Sequence, residues 1–143
     1  MERTLVLIKP DGVDRNLIGE IIKRFENGGL KVRDMKMVAP KKEFVEIHYA
    51  MHKGKPFFDL LIKYLANRQV VAMVLEGKDA VALVRKIVGT TDPSKADKGT
   101  IRGDLGNDSR EKADAEHRSI YNVIHASGTP EEAKVELKLW FGK

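Results

Sequence analysis

The sequence predicts an α+β sandwich, a four-stranded antiparallel sheet with helices packed on one face. Two observations carry most of that expectation. The runs Thr4 to Ile8 (TLVLI) and Val70 to Leu75 (VVAMVL) are continuously apolar and short, as buried strands are. Leu30 to Val38 (LKVRDMKMV) alternates apolar and polar, the period of a half-buried strand. A third observation is that segments with helical periodicity separate these runs, so strands and helices interleave along the chain.

Each element has its own signal. Lys9-Pro10-Asp11-Gly12 stops the first strand as a turn. Ile18, Ile21, Ile22 and Phe25 then recur at helical spacing, with Glu20, Lys23, Arg24 and Glu26 on the other side. Gly28-Gly29 closes that helix. Residues 41–52 and 56–66 read as two short helices split by Gly54 and Pro56, and residues 79–88 as another, ended by Gly89. Residues 89–119 lack strong periodicity and hold one polar helix near Arg110 to Glu116. So long an irregular stretch in a compact domain is usually functional or part of an interface. Ile120 to His125 (IYNVIH) reads as the last strand. Thr129 caps the last helix, with Pro130 at its first position and Glu132 at the capping-box position. Two βαβ-type halves in this order give the ferredoxin-like arrangement.

Composition bounds the function. The chain has 143 residues and no repeat, low-complexity tract or linker, so residues 1–143 read as one domain. It has no cysteine, which excludes a disulfide scaffold, a thiolate metal site and a cysteine nucleophile. No apolar run approaches the roughly 18 residues of a membrane span. The N-terminus lacks the pattern of a signal peptide, and the expected compartment is the cytoplasm. The net charge of +5 lies in residues 1–72, which hold 14 Lys and Arg against 9 Asp and Glu. Such an excess favours anionic partners such as phosphate, nucleotide or nucleic acid, or is simply a basic surface.

His125 is the titratable group of most interest. It ends an apolar strand and is followed by Ala126, Ser127 and Gly128, which leave space around it. A neutral imidazole is a competent nucleophile or base; a structural histidine at a strand end fits the same local pattern. Glu136 falls in the apolar stripe of the last helix with Ala133, Leu137 and Trp140. A carboxylate facing a core needs a partner, and either one imidazole nitrogen of His125 or a surface lysine would serve. Lys9, Arg85 and Arg102 lie at element ends or in loops, and Gly99 and Gly103 around Arg102 allow close approach of a ligand. Thr91 adds a hydroxyl beside Arg85 or makes an ordinary turn before Asp92-Pro93. Phe57 or Phe58 could stack on a base or fill the core, and Tyr49 carries the same ambiguity. His48 and His52 stand at i and i+4, a spacing compatible with a metal, but no third ligand is evident, and a partly exposed helix face is the expectation. His117 lies in a polar loop and carries no signal.

Taken together, these stretches resemble nucleoside diphosphate kinase over nearly the whole chain. The matching segments are Glu2 to Val32, His48 to Leu65, Val70 to Gly77, GTIRGD (Gly99 to Asp104), NVIHAS (Asn122 to Ser127) and the ELKLWF ending. The resemblance implies that His125 is the phosphorylated histidine, oriented by Ser127 and Glu136, with Tyr49 close by. It implies that Lys9, Arg85, Thr91 and Arg102 hold the nucleotide phosphates, with Lys9 and Asn122 also near the ribose. Phe57 would stack on the base, with Leu61 as its apolar neighbour. The reaction implied is ping-pong transfer of the γ-phosphoryl group from a nucleoside triphosphate to a nucleoside diphosphate. It needs Mg²⁺, held mainly by the substrate phosphates, with no dedicated protein metal ligand. The partners implied are nucleotides and further copies of the chain, in a hexamer or else a tetramer or dimer; neither membrane nor nucleic acid is required.

Two departures accompany the resemblance. The stretch between Asp104 and Asn122 is several residues longer than in most members, and Gly128 stands where an aspartate often follows the histidine motif. The chain also ends soon after Trp140-Phe141, without the tail that helps subunit packing in longer members, so the oligomer stays open. Two readings of other kinds compete. An RNA-binding module would carry aromatics on its central strands, and TLVLI and VVAMVL carry none. A phosphohistidine carrier would pass its group to a protein rather than to a diphosphate.

Overall fold

The computed structural model describes residues 1–142. Strand β1 (Glu2–Ile8) leads into a one-turn helix α1 (Pro10–Asp14), then α2 (Ile18–Asn27) and β2 (Lys31–Val38). Helices α3 (Lys42–His48) and α4 (Phe58–Leu65) follow, with a 3₁₀ turn between them at Ala50–His52. Then come β3 (Val70–Gly77), α5 (Ala80–Val88), a 3₁₀ turn at Pro93–Lys95, α6 (Ile101–Leu105), α7 (Arg110–Ala115), β4 (Ile124–Ala126) and α8 (Pro130–Phe141). The sheet order is β2-β3-β1-β4 with every pairing antiparallel, the ferredoxin-like arrangement the sequence predicts.

The helices cover both faces of the sheet, not one. The residues of β1 alternate between two cores: Val6 and Ile8 pack with Ile21, Phe25 and Val84, and Leu5 and Leu7 with Val45, Ile62, Leu137 and Trp140. β3 divides the same way, Val71 and Met73 to the first core, Val70 and Ala72 to the second. A strand buried on both faces reads as an unbroken apolar run. That is why TLVLI and VVAMVL show no alternation, and a Leu5→Ala cavity here would cost about 2–5 kcal/mol. At the edge, β2 bulges between Val32 and Asp34. The extra residue reverses the strand's phase, so Val32 packs on the first core and Val38 on the second.

Three local expectations are corrected. Pro10 to Asp14 is a helical turn rather than a simple chain reversal. Residues 89–119 contain α6 as well as α7, capped by the hydroxyls of Thr100 and Ser109. The last strand spans only Ile124–Ala126. Residues 120–122 lie outside it because Val123 takes a φ of +74°, which no strand accommodates. The stretch 105–121 is firmly anchored. Asp108 accepts hydrogen bonds from both terminal nitrogens of Arg118 at 2.7 and 2.9 Å and from the Tyr121 N–H at 2.8 Å. The Arg118 guanidinium also lies 4.1 Å over the Tyr121 ring.

Candidate active site

β4 presents His125. Its neighbours Ile124 and Ala126 enter the first core, so the imidazole between them faces the opposite side of the sheet, toward α3 and α8. Glu136 rises from α8 to meet it, with its Oε1 2.9 Å from the His125 Nε2. The Ser127 hydroxyl donates to the same oxygen at 2.7 Å. Burial pushes the Glu136 carboxyl up, but the hydrogen bond and charge of His125, the nearby His48 and the Ser127 hydroxyl outweigh it and hold it below the usual range. An ionised carboxylate only accepts, so in the neutral imidazole it is the His125 Nε2 that carries the proton and Nδ1 that keeps the lone pair.

Two aromatic residues fix the plane of that imidazole. The His48 ring stands at 78° to it with centroids 4.7 Å apart, and the Tyr49 ring lies 6.0 Å away. The Trp140 indole N–H donates to the His48 Nδ1 at 2.9 Å. Burial and the neighbouring His125 push His48 down to about 3, so it stays neutral with its proton on Nε2. Burial and the charge of Glu136 push the Tyr49 phenol up, so it stays protonated. His48 is therefore a buried wall of this site rather than part of an exposed helix face. His48, His125 and Glu136 bring three metal-donor atoms within 4.8 Å of one another. The indole already occupies the His48 lone pair, however, so the group is built for packing and hydrogen bonding.

The cationic residues gather at the same end of the sheet. The Lys9 ammonium donates to Asn122 Oδ1 at 2.9 Å, and the Asn122 amide donates to the Thr91 carbonyl at 3.1 Å. Thr91 thus contributes its carbonyl here, where its hydroxyl was expected. Burial and the charge of Arg102 push Lys9 down to about 7. Arg102 is buried, and its three nitrogens each donate to a main-chain carbonyl: Asn122 at 3.2 Å, Gly89 at 3.0 Å and Ile124 at 2.6 Å. Burial and the charge of Arg85 push it down to about 10, so it remains charged. Arg85 lies exposed and reaches the Ala126 carbonyl at 3.3 Å.

Phe57 is 37% exposed at the start of α4. Leu61 lies one helical turn on, half-buried against the second core. A chain of rings joins Phe57 to the histidine: Phe57 to His52 at 5.1 Å, His52 to Tyr49 at 6.2 Å, then Tyr49 to His125. Phe58 is core, as the alternative reading of that pair had it. Gly128 lies against Glu132. Its N–H donates to Glu132 Oε2 at 3.0 Å, and a Cβ at residue 128 would come within 2.7 Å of that oxygen.

The family model for nucleoside diphosphate kinase matches residues 2–143. The chain belongs to the nucleoside diphosphate kinase family. The nucleoside diphosphate kinase of Pyrococcus furiosus is 55% identical over 141 residues, covering 99% of this chain and 83% of that protein. That of Caldanaerobacter subterraneus subsp. tengcongensis is 51% identical, covering 99% and 94%. Among solved structures, a transition-state mimic of the Borrelia burgdorferi nucleoside diphosphate kinase with vanadate and ADP superposes with a TM-score of 0.94 at 39% identity. It covers 98% of this chain and 86% of that one. An NDP kinase from Pyrobaculum aerophilum gives 0.92 at 36% identity, covering 98% and 95%.

The protein is accordingly a phosphotransferase, a nucleoside diphosphate kinase that acts on nucleotides. Kinases of this family work through a phosphohistidine and generally require a divalent metal. The RNA-binding alternative falls on the same fold, because helices cover both faces of the sheet on which such a module would stack bases. Among the described residues, no helix is long and apolar enough to cross a membrane.

Proposed function

We propose that His125 carries the phosphoryl group, attacking through Nδ1. The observation that carries this reading is the 2.9 Å contact of its other nitrogen with Glu136. In the first half-reaction the Nδ1 lone pair forms a bond to the γ-phosphorus, the bond from phosphorus to the bridging oxygen breaks, and the diphosphate leaves with that electron pair. Positive charge grows on the imidazole, and the Glu136 carboxylate offsets it at Nε2. The second half-reaction runs the same step backwards onto a different diphosphate.

Phosphoryl transfer depends mainly on positioning and on neutralising phosphate charge. Lys9, Arg85 and Arg102 supply the charge, with Asn122 and Thr91 as neutral partners. Asn122, hydrogen-bonded to Lys9, would meet the ribose. This set contains no free carboxylate, so it fits a metal carried on the nucleotide phosphates rather than held by protein ligands. Mg²⁺ bound in that way would neutralise the β- and γ-phosphates. Phe57 stacks on the base with Leu61 beside it. A base held by its face rather than its edge is tolerated whatever its identity, since every base has a π-face.

The same reading extends to the whole protein: one domain over residues 1–143, a cytoplasmic enzyme and a homo-oligomer, most simply a hexamer. Support for the domain is that one sheet separates both cores. Support for the oligomer is apolar surface left in the open at Met35, Met37, Ile47, Met51 and Val135. Initial rates with ATP and a second diphosphate varied together test the mechanism. Parallel double-reciprocal lines are expected, and intersecting lines would overturn the phosphoenzyme route.

A further inference from the structure

Between Asn122 and His125 the backbone does something a strand cannot. Val123, fully buried and β-branched, has a φ of +74°. The Ile124 N–H donates to the Asn122 carbonyl at 2.8 Å, spanning one residue and closing a γ-turn of the strained hand. In an unbroken strand, residues 122 and 125 would point to opposite faces of the sheet. The turn frees Asn122 from that alternation, and its side chain meets Lys9.

A β-branched residue holds this conformation only where its surroundings over-determine it. Here the clamp is Asp11. Its Oδ2 accepts from the Val123 N–H at 3.0 Å, across 112 residues of sequence. The Tyr64 hydroxyl donates to Asp11 Oδ1, and the Asp11 N–H donates back to the Tyr64 oxygen at 2.9 Å. The Lys9 N–H holds the Val123 carbonyl at 2.8 Å. Gly12 lets the two segments close, since a Cβ there would stand 2.8 Å from Ile8 Cγ2 and 3.0 Å from the Val123 oxygen. None of this touches the reacting atoms.

We propose that Asp11, held by Tyr64, is a positioning residue for the transfer: it clamps the Val123 turn, and the turn sets Asn122 and His125 in their relative places. The proposal rests on the reading of His125 as the phosphorylated residue. It carries a specific consequence. Glycine adopts positive φ without strain, so a glycine at residue 123 needs no clamp, whereas an alanine there still does.

The test is a double-mutant cycle in the full-length protein, combining Asp11→Asn with either Val123→Ala or Val123→Gly. The readout is the single-turnover rate of phosphoenzyme formation at saturating ATP and Mg²⁺, followed by intact mass. Asp11→Asn is expected to slow the step by about tenfold or more beside Val123→Ala, and by less than about threefold beside Val123→Gly. The Val123→Gly protein is also expected to melt above Val123→Ala, the reverse of the ordinary order. If an Asp11 variant fails to fold, Tyr64→Phe removes one hydroxyl and is expected to show the same dependence on residue 123. Equal losses in both backgrounds would overturn the clamp while leaving His125 as the nucleophile. Peptide mapping that finds no phosphate on His125 of the unmutated enzyme would remove the reading beneath it.

Discussion

The His125 Nε2 and the Glu136 Oε1 lie 2.9 Å apart, and the proton between them belongs to the histidine. That one bond leaves Nδ1 as the nitrogen with a lone pair to offer. Glu136→Gln replaces an acceptor-only group with one that also donates, so the imidazole is free to adopt the other tautomer. Turnover is expected to fall by about 100-fold, the loss seen when a carboxylate that orients a metal-bound imidazole is removed, while nucleotide affinity holds. Single-turnover phosphorylation and calorimetric ADP binding separate the two effects. The same carboxyl is held below its ordinary value in the folded protein. Its contribution to stability is present above the unfolded value near 4.5 and is lost as pH falls through the lower folded value.

Phe57, the side chain proposed to stack on the base, stands open at 37% exposure. Stacking on an aromatic is worth about 1–3 kcal/mol per base. Phe57→Ala is expected to raise KM for purine and pyrimidine diphosphates alike by about five- to 100-fold, with kcat little changed. A loss confined to one base would show that the edge of the base is read elsewhere in the site.

Lys9 sits near a pKa of about 7 through burial and the charge of Arg102. At pH 8 the free enzyme holds it mostly neutral, and nucleotide phosphates favour its charged form. Binding of MgADP at pH 8 is therefore expected to take up a proton, seen as a binding heat that differs between buffers of different ionisation enthalpy. Lys9→Met should abolish that difference. The sign for stability is the reverse of the usual lysine case. Between pH about 7 and 10.5 the unfolded chain binds the proton and the folded one does not, so the contribution of Lys9 rises with pH across that window.

Asp108 anchors the long stretch before Asn122. Burial pushes its carboxyl up, but the hydrogen bonds from Arg118, Tyr121 and Ser109 outweigh it and hold it down to about 2. Its side chain is 2% exposed. Arg118→Ala leaves that carboxylate without its main partner and is expected to cost about 2 kcal/mol, lowering Tm by about 4–8 °C. The stability Asp108 contributes is present above pH 3.8 and lost between there and about 2. The variant should accordingly lose less on acidification through that window. An unchanged Tm would show that the stretch is held by its helices alone.

Much of this was legible in the sequence, and the misses have physical reasons. Glu136 could be found because a carboxylate in an apolar stripe must have a partner. The N-cap of α8 could be found because its chemistry is local: the Thr129 hydroxyl does accept from the Glu132 N–H, at 3.1 Å, although the Glu132 carboxylate takes the Gly128 N–H rather than the Thr129 N–H of a capping box. The second layer of helices was missed, since only one covered face was expected, although the unbroken runs in β1 and β3 lack the alternation of a one-sided sheet. The Val123 turn could not be read, because a valine at positive φ violates local propensity and is held by Asp11, more than a hundred residues away. His48 was misplaced because its partners, Trp140 and His125, come from the far end of the chain. Arg102 was expected as a phosphate ligand. That its guanidinium also holds three carbonyls follows from tertiary contact alone.

The most direct test of the account is the mass of the intact protein after incubation with ATP and Mg²⁺, with the modified peptide mapped and GDP then added. One phosphoryl group is expected on His125, discharged by GDP as GTP appears, and none on a His125→Ala variant. Phosphate on another residue, no phosphate at all, or a phosphoenzyme that GDP cannot discharge would contradict it.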